Sequence, residues 1–308
     1  MSEPITSSLG VLAVYCALIL VASLAGGWIP LFVRLTHTRL QVAISFVAGL
    51  MLGVGLLHLL PHAWQQLRSI DRVASWLLGG FLVMFFLQRV FHFHHHDVPD
   101  GSGFEPDAHD DPHHDHERHR ADPSGPSARQ LSWSGAALGL TLHTLIDGVA
   151  LAASVRAESH APGSGWLIGF GTFLVILLHK PFDAMAVGTL MAAGGYSKPL
   201  RHLVNGLLAL ANPLGVLLFY LGASQFSDTA HLIVGAALAF AAGTFLCIST
   251  SDLLPELQFH AHDRLKLSFA LLAGLALSAL IGGFERSGHD RHHTPALQHD
   301  TPMPEHGR

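Results

Sequence analysis

Eight stretches of this chain are apolar over about 20 residues each, the length an α-helix needs to cross a bilayer core of roughly 30 Å. They run at about 9–33, 40–62, 73–93, 131–155, 165–193, 200–222, 229–253 and 267–284. In lipid every backbone N–H and C=O must be bonded inside its own element, so these stretches are expected to be helices. The fold class that follows is all-α, a polytopic membrane protein with eight transmembrane helices. Composition agrees. Of 308 residues 50% are hydrophobic and 13% charged, where a soluble domain carries about 25% charge. Met1 to Gly10 holds no Lys or Arg, so the first stretch lacks the basic n-region of a signal peptide. The two cysteines, Cys16 and Cys247, both lie in apolar stretches, which leaves no disulfide framework and no cysteine-rich zinc knuckle. No basic aromatic patch invites nucleic acid, so the expected surroundings are the lipid bilayer.

Orientation follows from basic residues in the connections. Connections 1–2, 3–4, 5–6 and 7–8 hold Arg34, Arg39, Arg89, Arg118, Arg120, Arg129, Lys198, Arg201, Arg264 and Lys266. The opposite side holds Arg68, Arg72, Arg156, Arg286, Arg291 and Arg308. The richer side is expected to be cytoplasmic, which puts both termini outside. The chain then divides into helices 1–3 (1–93), a cytoplasmic loop (94–130), helices 4–5 (131–193), helices 6–8 (194–284) and a flexible, His-containing tail (285–308).

The loop is unusual in composition. Residues 91–119 read FHFHHHDVPDGSGFEPDAHDDPHHDHERH. Histidines and acids alternating with Pro and Gly cannot bury a core, so the segment is expected to be disordered. His94, His95, His96, His109, His113, His114, His116 and His119 are candidates for weak metal capture.

An internal repeat organises the rest. Residues 48–62 read AGLMLGVGLLHLLPH and residues 242–256 read AGTFLCISTSDLLPE. Both are A-G-x-x-L, five residues, His or Asp, LLP, then His or Glu. Helix 2 carries the first and helix 7 the second, so in an eight-span chain they point in opposite directions. Inverted repeats of this kind build transporters, with a site near the bilayer midplane. The pair His58 and His62 is expected to end helix 2 at the outer entrance, and the pair Asp252 and Glu256 to end helix 7 at the inner exit. Each pair is spaced i, i+4 and shares a helix face. Pro61 and Pro255 are expected to loosen those ends.

The central signal is a duplicated motif. Helix 4 carries His143-Thr144-Leu145-Ile146-Asp147-Gly148, and helix 5 carries His179-Lys180-Pro181-Phe182-Asp183-Ala184. Each is H-x-x-x-D followed by a small residue, near the middle of an apolar stretch. An ionisable side chain there costs about 2.5–3.5 kcal/mol on insertion scales, so it marks a functional site by default. Two antiparallel helices could present both imidazoles and both carboxylates of His143, Asp147, His179 and Asp183 to one ion. That ligand set suits Zn2+ and would also accept Cd2+, Fe2+, Mn2+ or Co2+. Gly148 and Ala184 are expected to let helices 4 and 5 approach closely. Lys180, a fifth polar residue at this depth, can neutralise an aspartate and stand where a second cation would otherwise bind. Asn212, beside Pro213 in helix 6, could complete or flank the site, as could Thr144.

With these motifs the chain resembles the ZIP (Zrt-, Irt-like protein) divalent metal transporters over about residues 8–284. The helix 4 pattern H-N-x-P-E-G of that family appears as His143 to Gly148, the helix 5 pattern as His179 and Asp183, and the HLLPE-like end of helix 2 as His58-Leu-Leu-Pro-His62. The resemblance implies metal import toward the cytoplasm and a 3+2+3 helix arrangement. It also implies elevator-like movement of one bundle against another and, frequently, a homodimer. The expected location is a bacterial inner (plasma) membrane. This chain departs from the family at Thr144, Ile146, Asp147, Lys180, Asp183 and Asn212, which argues against a two-metal centre. The rival reading is a membrane-embedded zinc hydrolase with three protein ligands and an open position. No H-E-x-x-H and no further general base support it, so the chain is not expected to be an enzyme.

Overall fold

The computed structural model describes the backbone at residues 3–27, 37–91, 126–159, 168–225, 229–259 and 264–290, with side chains over most of that length. Among the described residues all regular structure is helical. The helices are α1 (Glu3–Gly26), α2 (His37–Val54, a π-helical turn at Gly55–Leu59, then Leu60–Leu67), α3 (Ile70–Phe91), α4 (Pro126–Ser159), α5 (Phe170–Ala193), α6 (Lys198–Gln225), α7 (Ala230–Phe259) and α8 (Arg264–Asp290). Eight of the described helices are long and apolar enough to cross a membrane.

Most of the helices outrun their apolar cores. α2 continues to Leu67, past His62, and α4 begins at Pro126. Backbone hydrogen bonding propagates a helix into polar flanks once the apolar centre is fixed. His58 and His62 therefore lie within α2, not at its end. Pro61 leaves α2 continuous, and the adjustment appears just before it, where the Leu60 N–H bonds to the Gly55 carbonyl across a π turn. Such turns frequently sit at functional sites.

Large exposed apolar side chains crowd α1, α3, α6 and α8, for example Val21, Phe86, Leu207 and Phe269. A surface of this kind belongs against lipid. The polar side chains of α4 and α5 instead face inward, among them Thr144, Asp147 and Thr172, each almost fully buried.

The most extensive packing joins α2 to α8, α3 to α7, α2 to α7, α4 to α6 and α1 to α5. This set is unchanged when α1–α3 are exchanged with α6–α8 and α4 with α5. Glycines make the first two pairings close. Gly49 of α2 lies against the Leu271 backbone of α8, and Gly274 of α8 against that of Phe46. Gly243 of α7 lies against the Leu77 backbone of α3, and Gly80 of α3 against that of Phe240. A β-carbon at any of these four would overlap its neighbour. The matched positions 46 and 240, 49 and 243, 77 and 271, 80 and 274 share one offset, 194 residues, which also relates His58 to Asp252. The repeat therefore extends beyond the LLP segments to the helix crossings. Small residues are retained there because backbones in lipid associate by close van der Waals packing.

Candidate metal centre

His143 and Asp147 from α4 and His179 and Asp183 from α5 converge, each offering one ligand atom, all within 4.8 Å of one another. The i, i+4 spacing stacks each His over its Asp. His143 Nε2 lies 3.4 Å from Asp147 Oδ2 and 3.9 Å from Asp183 Oδ2. His179 Nε2 lies 3.2 Å and 3.8 Å from the same two oxygens. The imidazole centroids are 5.4 Å apart.

The His179 ring is oriented by its own helix. Its Nδ1 donates to the Val175 carbonyl at 2.9 Å, because a carbonyl only accepts. In the neutral ring Nε2 then holds a lone pair facing the Asp147 carboxylate. Two acceptors at 3.2 Å attract only through a proton or a cation between them. A backbone hydrogen bond on the far nitrogen is the usual way a protein fixes a metal-ligating imidazole.

Lys180 supplies a resident cation. Its Nζ lies 2.5 Å from Asp147 Oδ2, 3.0 Å from Asp183 Oδ2 and 3.0 Å from Thr144 Oγ1. The ammonium thus uses the very carboxylate oxygens that face the imidazoles. Thr144 supplies the ammonium's third acceptor, which explains a hydroxyl at that position. Two carboxylates and one ammonium leave a single net negative charge among these groups when the imidazoles are neutral. Buried charges without partners are expensive, and this pairing is what lets two aspartates stay at such depth.

Two atoms of the cluster, His143 Nδ1 and Asp147 Oδ1, are buried without a hydrogen-bond partner, as are both amide atoms of Asn212. Most buried polar atoms find a partner, so such a group marks a place where something else binds or moves. The Asn212 backbone carbonyl lies against Gly148, and Gly215 against the Leu145 backbone. This corrects one expectation: Gly148 brings α4 close to α6, not to α5. One residue on from Asp147 is a turn of about 100°, which carries Gly148 off the metal-facing stripe.

A second group assembles from α2 and α4. His58, His62 and Glu158 also place one ligand atom each within 4.8 Å of one another. His58 Nε2 lies 3.0 Å from Glu158 Oε1, and the two imidazole centroids are 4.9 Å apart. Ser154 Oγ donates to Glu158 Oε1 at 3.0 Å, and the Gly169 N–H donates to Oε2 at 2.7 Å. Gly169 has φ 69°, a left-handed conformation suited to glycine, and a β-carbon there would strike Val155.

Glu158 was not legible as a site residue. It falls just past the apolar stretch, next to Arg156, and looks like an interfacial acid. One signal was present. Eleven residues is about three helical turns, so Glu158 repeats the face of Asp147. Of the other expected residues, the side chains of Asp252 and Glu256 and all eight loop histidines lie outside the described residues.

A family model for the ZIP zinc transporters matches residues 9–282. The chain belongs to the ZIP zinc transporter family. It is 40% identical to zinc transporter ZIP9-B of Xenopus laevis over 153 residues, 47% of this chain and 48% of that protein. It is 23% identical to zinc transporter 3 of Arabidopsis thaliana over 266 residues, 78% of this chain and 73% of that protein. To zinc transporter zipt-7.2 of Caenorhabditis elegans it is 30% identical over 150 residues, 46% of this chain and 30% of that protein. The chain thus spans about half the length of the ZIP9 relatives it matches. Among the described residues, two groups of His and carboxylate side chains on these helices have ligand atoms close enough together to hold a metal ion.

Proposed function

We propose that this protein carries zinc, and related divalent ions, across a bilayer toward the cytoplasm through His143, Asp147, His179 and Asp183. The observation that carries this reading is the convergence of four potential ligand atoms within 4.8 Å on two helices able to span a membrane. Two imidazoles and two carboxylates form a four-coordinate set of the kind zinc takes. The aspartates supply negative charge at a depth where an ion must shed its water. The imidazoles bias the set toward transition metals over Ca2+ and Mg2+.

Lys180 makes the site exchangeable. While no ion is bound, its ammonium balances the aspartates. An arriving ion competes for the same two oxygens, so the lysine swings aside or shares them. Binding is weakened and release made easier, as a carrier requires, and the second cation position is filled from within, leaving one metal per protomer.

Alternating access follows from the helix pairing. α2, α3, α7 and α8 pair among themselves, as do α1, α4, α5 and α6. The metal ligands sit wholly on the second group, so sliding it as a unit along the first would expose the site to each side in turn. The inverted repeat supports this elevator reading, because a two-fold related scaffold offers equivalent outward and inward positions.

The test is zinc entry into proteoliposomes holding the full-length chain and a trapped zinc-sensitive dye, with Cd2+, Co2+, Fe2+ and Mn2+ as competitors. Saturable entry is expected, with Cd2+ and Co2+ competing. Correctly inserted protein that gives no entry in either orientation would overturn the reading.

A further inference from the structure

We infer that His58, His62 and Glu158 form a second divalent-metal site, separate from the central one, that holds one zinc-class ion by two imidazoles and one carboxylate. Three protein ligands are what zinc keeps where a fourth position stays open to water or exchange.

The geometry is already close to that of a site. His58 Nε2 and Glu158 Oε1 are 3.0 Å apart, and the donors of a tetrahedral zinc bound at about 2.0–2.1 Å lie roughly 3.3 Å from one another. The Glu158 carboxylate is held on its far side by the Gly169 N–H and on its near side by Ser154. Ser154 is itself fixed by the Thr172 hydroxyl at 3.0 Å. Hydrogen bonds of this kind orient a metal-ligating carboxylate. His58 and Glu158 are buried, whereas His62 is half-buried and gives the cluster an opening.

Electrostatics points the same way. A carboxylate in the last turn of α4 faces the negative end of that helix's dipole. The first N–H groups of α5 offset part of this through Gly169. The rest requires positive charge, and the imidazoles of α2 can supply it as imidazolium or through a bound ion. No Lys or Arg is paired with Glu158 among its described contacts, in contrast to Asp147.

The location gives the site a place on a route. Glu158 is eleven residues beyond Asp147, about 16 Å along α4. Asp147, Leu151, Ser154 and Glu158 follow one stripe of α4, and Thr172, Ile176, His179 and Asp183 follow the corresponding stripe of α5. The Ser154–Thr172 hydrogen bond shows that these stripes meet. Between the two clusters, Leu151 and Ile176 are completely buried and form an apolar layer. An ion held at His58, His62 and Glu158 therefore waits one closed layer away from the central ligands. Because α2 and α4 belong to different helix groups, that ion also ties the groups together until it leaves. The staging role rests on the transport reading above. Binding of the metal does not.

Equilibrium dialysis of Zn2+ against the full-length protein tests this, with the loop histidines at 92–119 changed to Ser to remove their background. The parent is expected to bind one equivalent more than His62→Ala. His143→Ala is expected to lose a different equivalent and keep this one. Glu158→Gln preserves shape but removes the charge and keeps an acceptor toward only one of Ser154 and Gly169, and should weaken the second equivalent roughly 10- to 100-fold, the usual size of such effects at metal sites. Equal stoichiometry in the parent and His62→Ala would overturn the inference. If His62→Ala fails to fold, unchanged zinc affinity in Glu158→Gln overturns it instead. A parent with no equivalent that His143→Ala removes would count against the transport reading and leave this site standing.

Discussion

The protein holds two His-and-carboxylate clusters that differ in how their negative charge is balanced. At the centre, Lys180 lies within 3.0 Å of both aspartates and shares their oxygens with the imidazoles. At the α2–α4 junction, the Glu158 carboxylate is met by two imidazoles, a hydroxyl and a backbone N–H. The first arrangement is neutralised in advance and so binds an ion against competition. The second depends on imidazoles whose charge an ion can replace. The lesson is that ligand type alone does not set affinity. On the transport reading, a resident cation that shares the same oxygens would weaken binding and so make it reversible.

The largest expected effect separates the two clusters. Asp147→Ala removes an acceptor shared by both imidazoles and Lys180, leaving the ammonium buried with Asp183 as its one carboxylate beside the Thr144 hydroxyl. Breaking a buried charged set typically costs about 3–5 kcal/mol of stability, and removing one ligand should separately weaken zinc at the central site by about a hundredfold or more. Isothermal titration should show that loss with the α2–α4 equivalent unaffected. If both equivalents vanish together, the clusters are one site and the comparison fails.

Next in size is Lys180→Ala. Removing the competing ammonium should tighten zinc at the central site by about tenfold, since one near charge in a partly buried site is worth a few kcal/mol and part of it is offset. Lys180→Asp should go further and create an additional equivalent. Unchanged affinity in Lys180→Ala would mean that the lysine does not compete with the ion.

Smaller effects are expected at the helix crossings. Gly49→Val and Gly243→Val should lower thermal stability in detergent by similar amounts, each costing about 1–3 kcal/mol from overpacking against the facing backbone. Tolerance of one but not the other would show that the repeat does not impose equivalent packing. The smallest effect belongs to the loop. Deleting 94–120 should leave the initial rate of zinc uptake unchanged, measured in proteoliposomes, because the route is built from helices. Complete loss of uptake in a stably inserted deletion would contradict that.

Most of the fold was legible in the sequence because lipid permits so few backbone solutions: eight apolar stretches could become little else than eight helices. The convergence of His143, Asp147, His179 and Asp183 was legible because the motif occurs twice and each copy spans one helical turn. What stayed hidden depended on which helices meet. Glu158 shares the face of Asp147, yet nothing in the sequence places it against His58 on α2. Gly148 read as a contact between α4 and α5, while its true neighbour, Asn212, is set by the α4–α6 crossing. The π turn at Gly55–Leu59 likewise left no mark beyond Gly55 and Pro61.

The central claim is that the metal crosses the membrane through the ligands of α4 and α5. Zinc uptake by proteoliposomes containing His143→Ala, Asp147→Ala, His179→Ala or Asp183→Ala, each matched to wild type in incorporation and helical content, tests it directly. The account predicts uptake indistinguishable from empty liposomes, or nearly so, for all four. Uptake at the wild-type rate by two or more of them would contradict it.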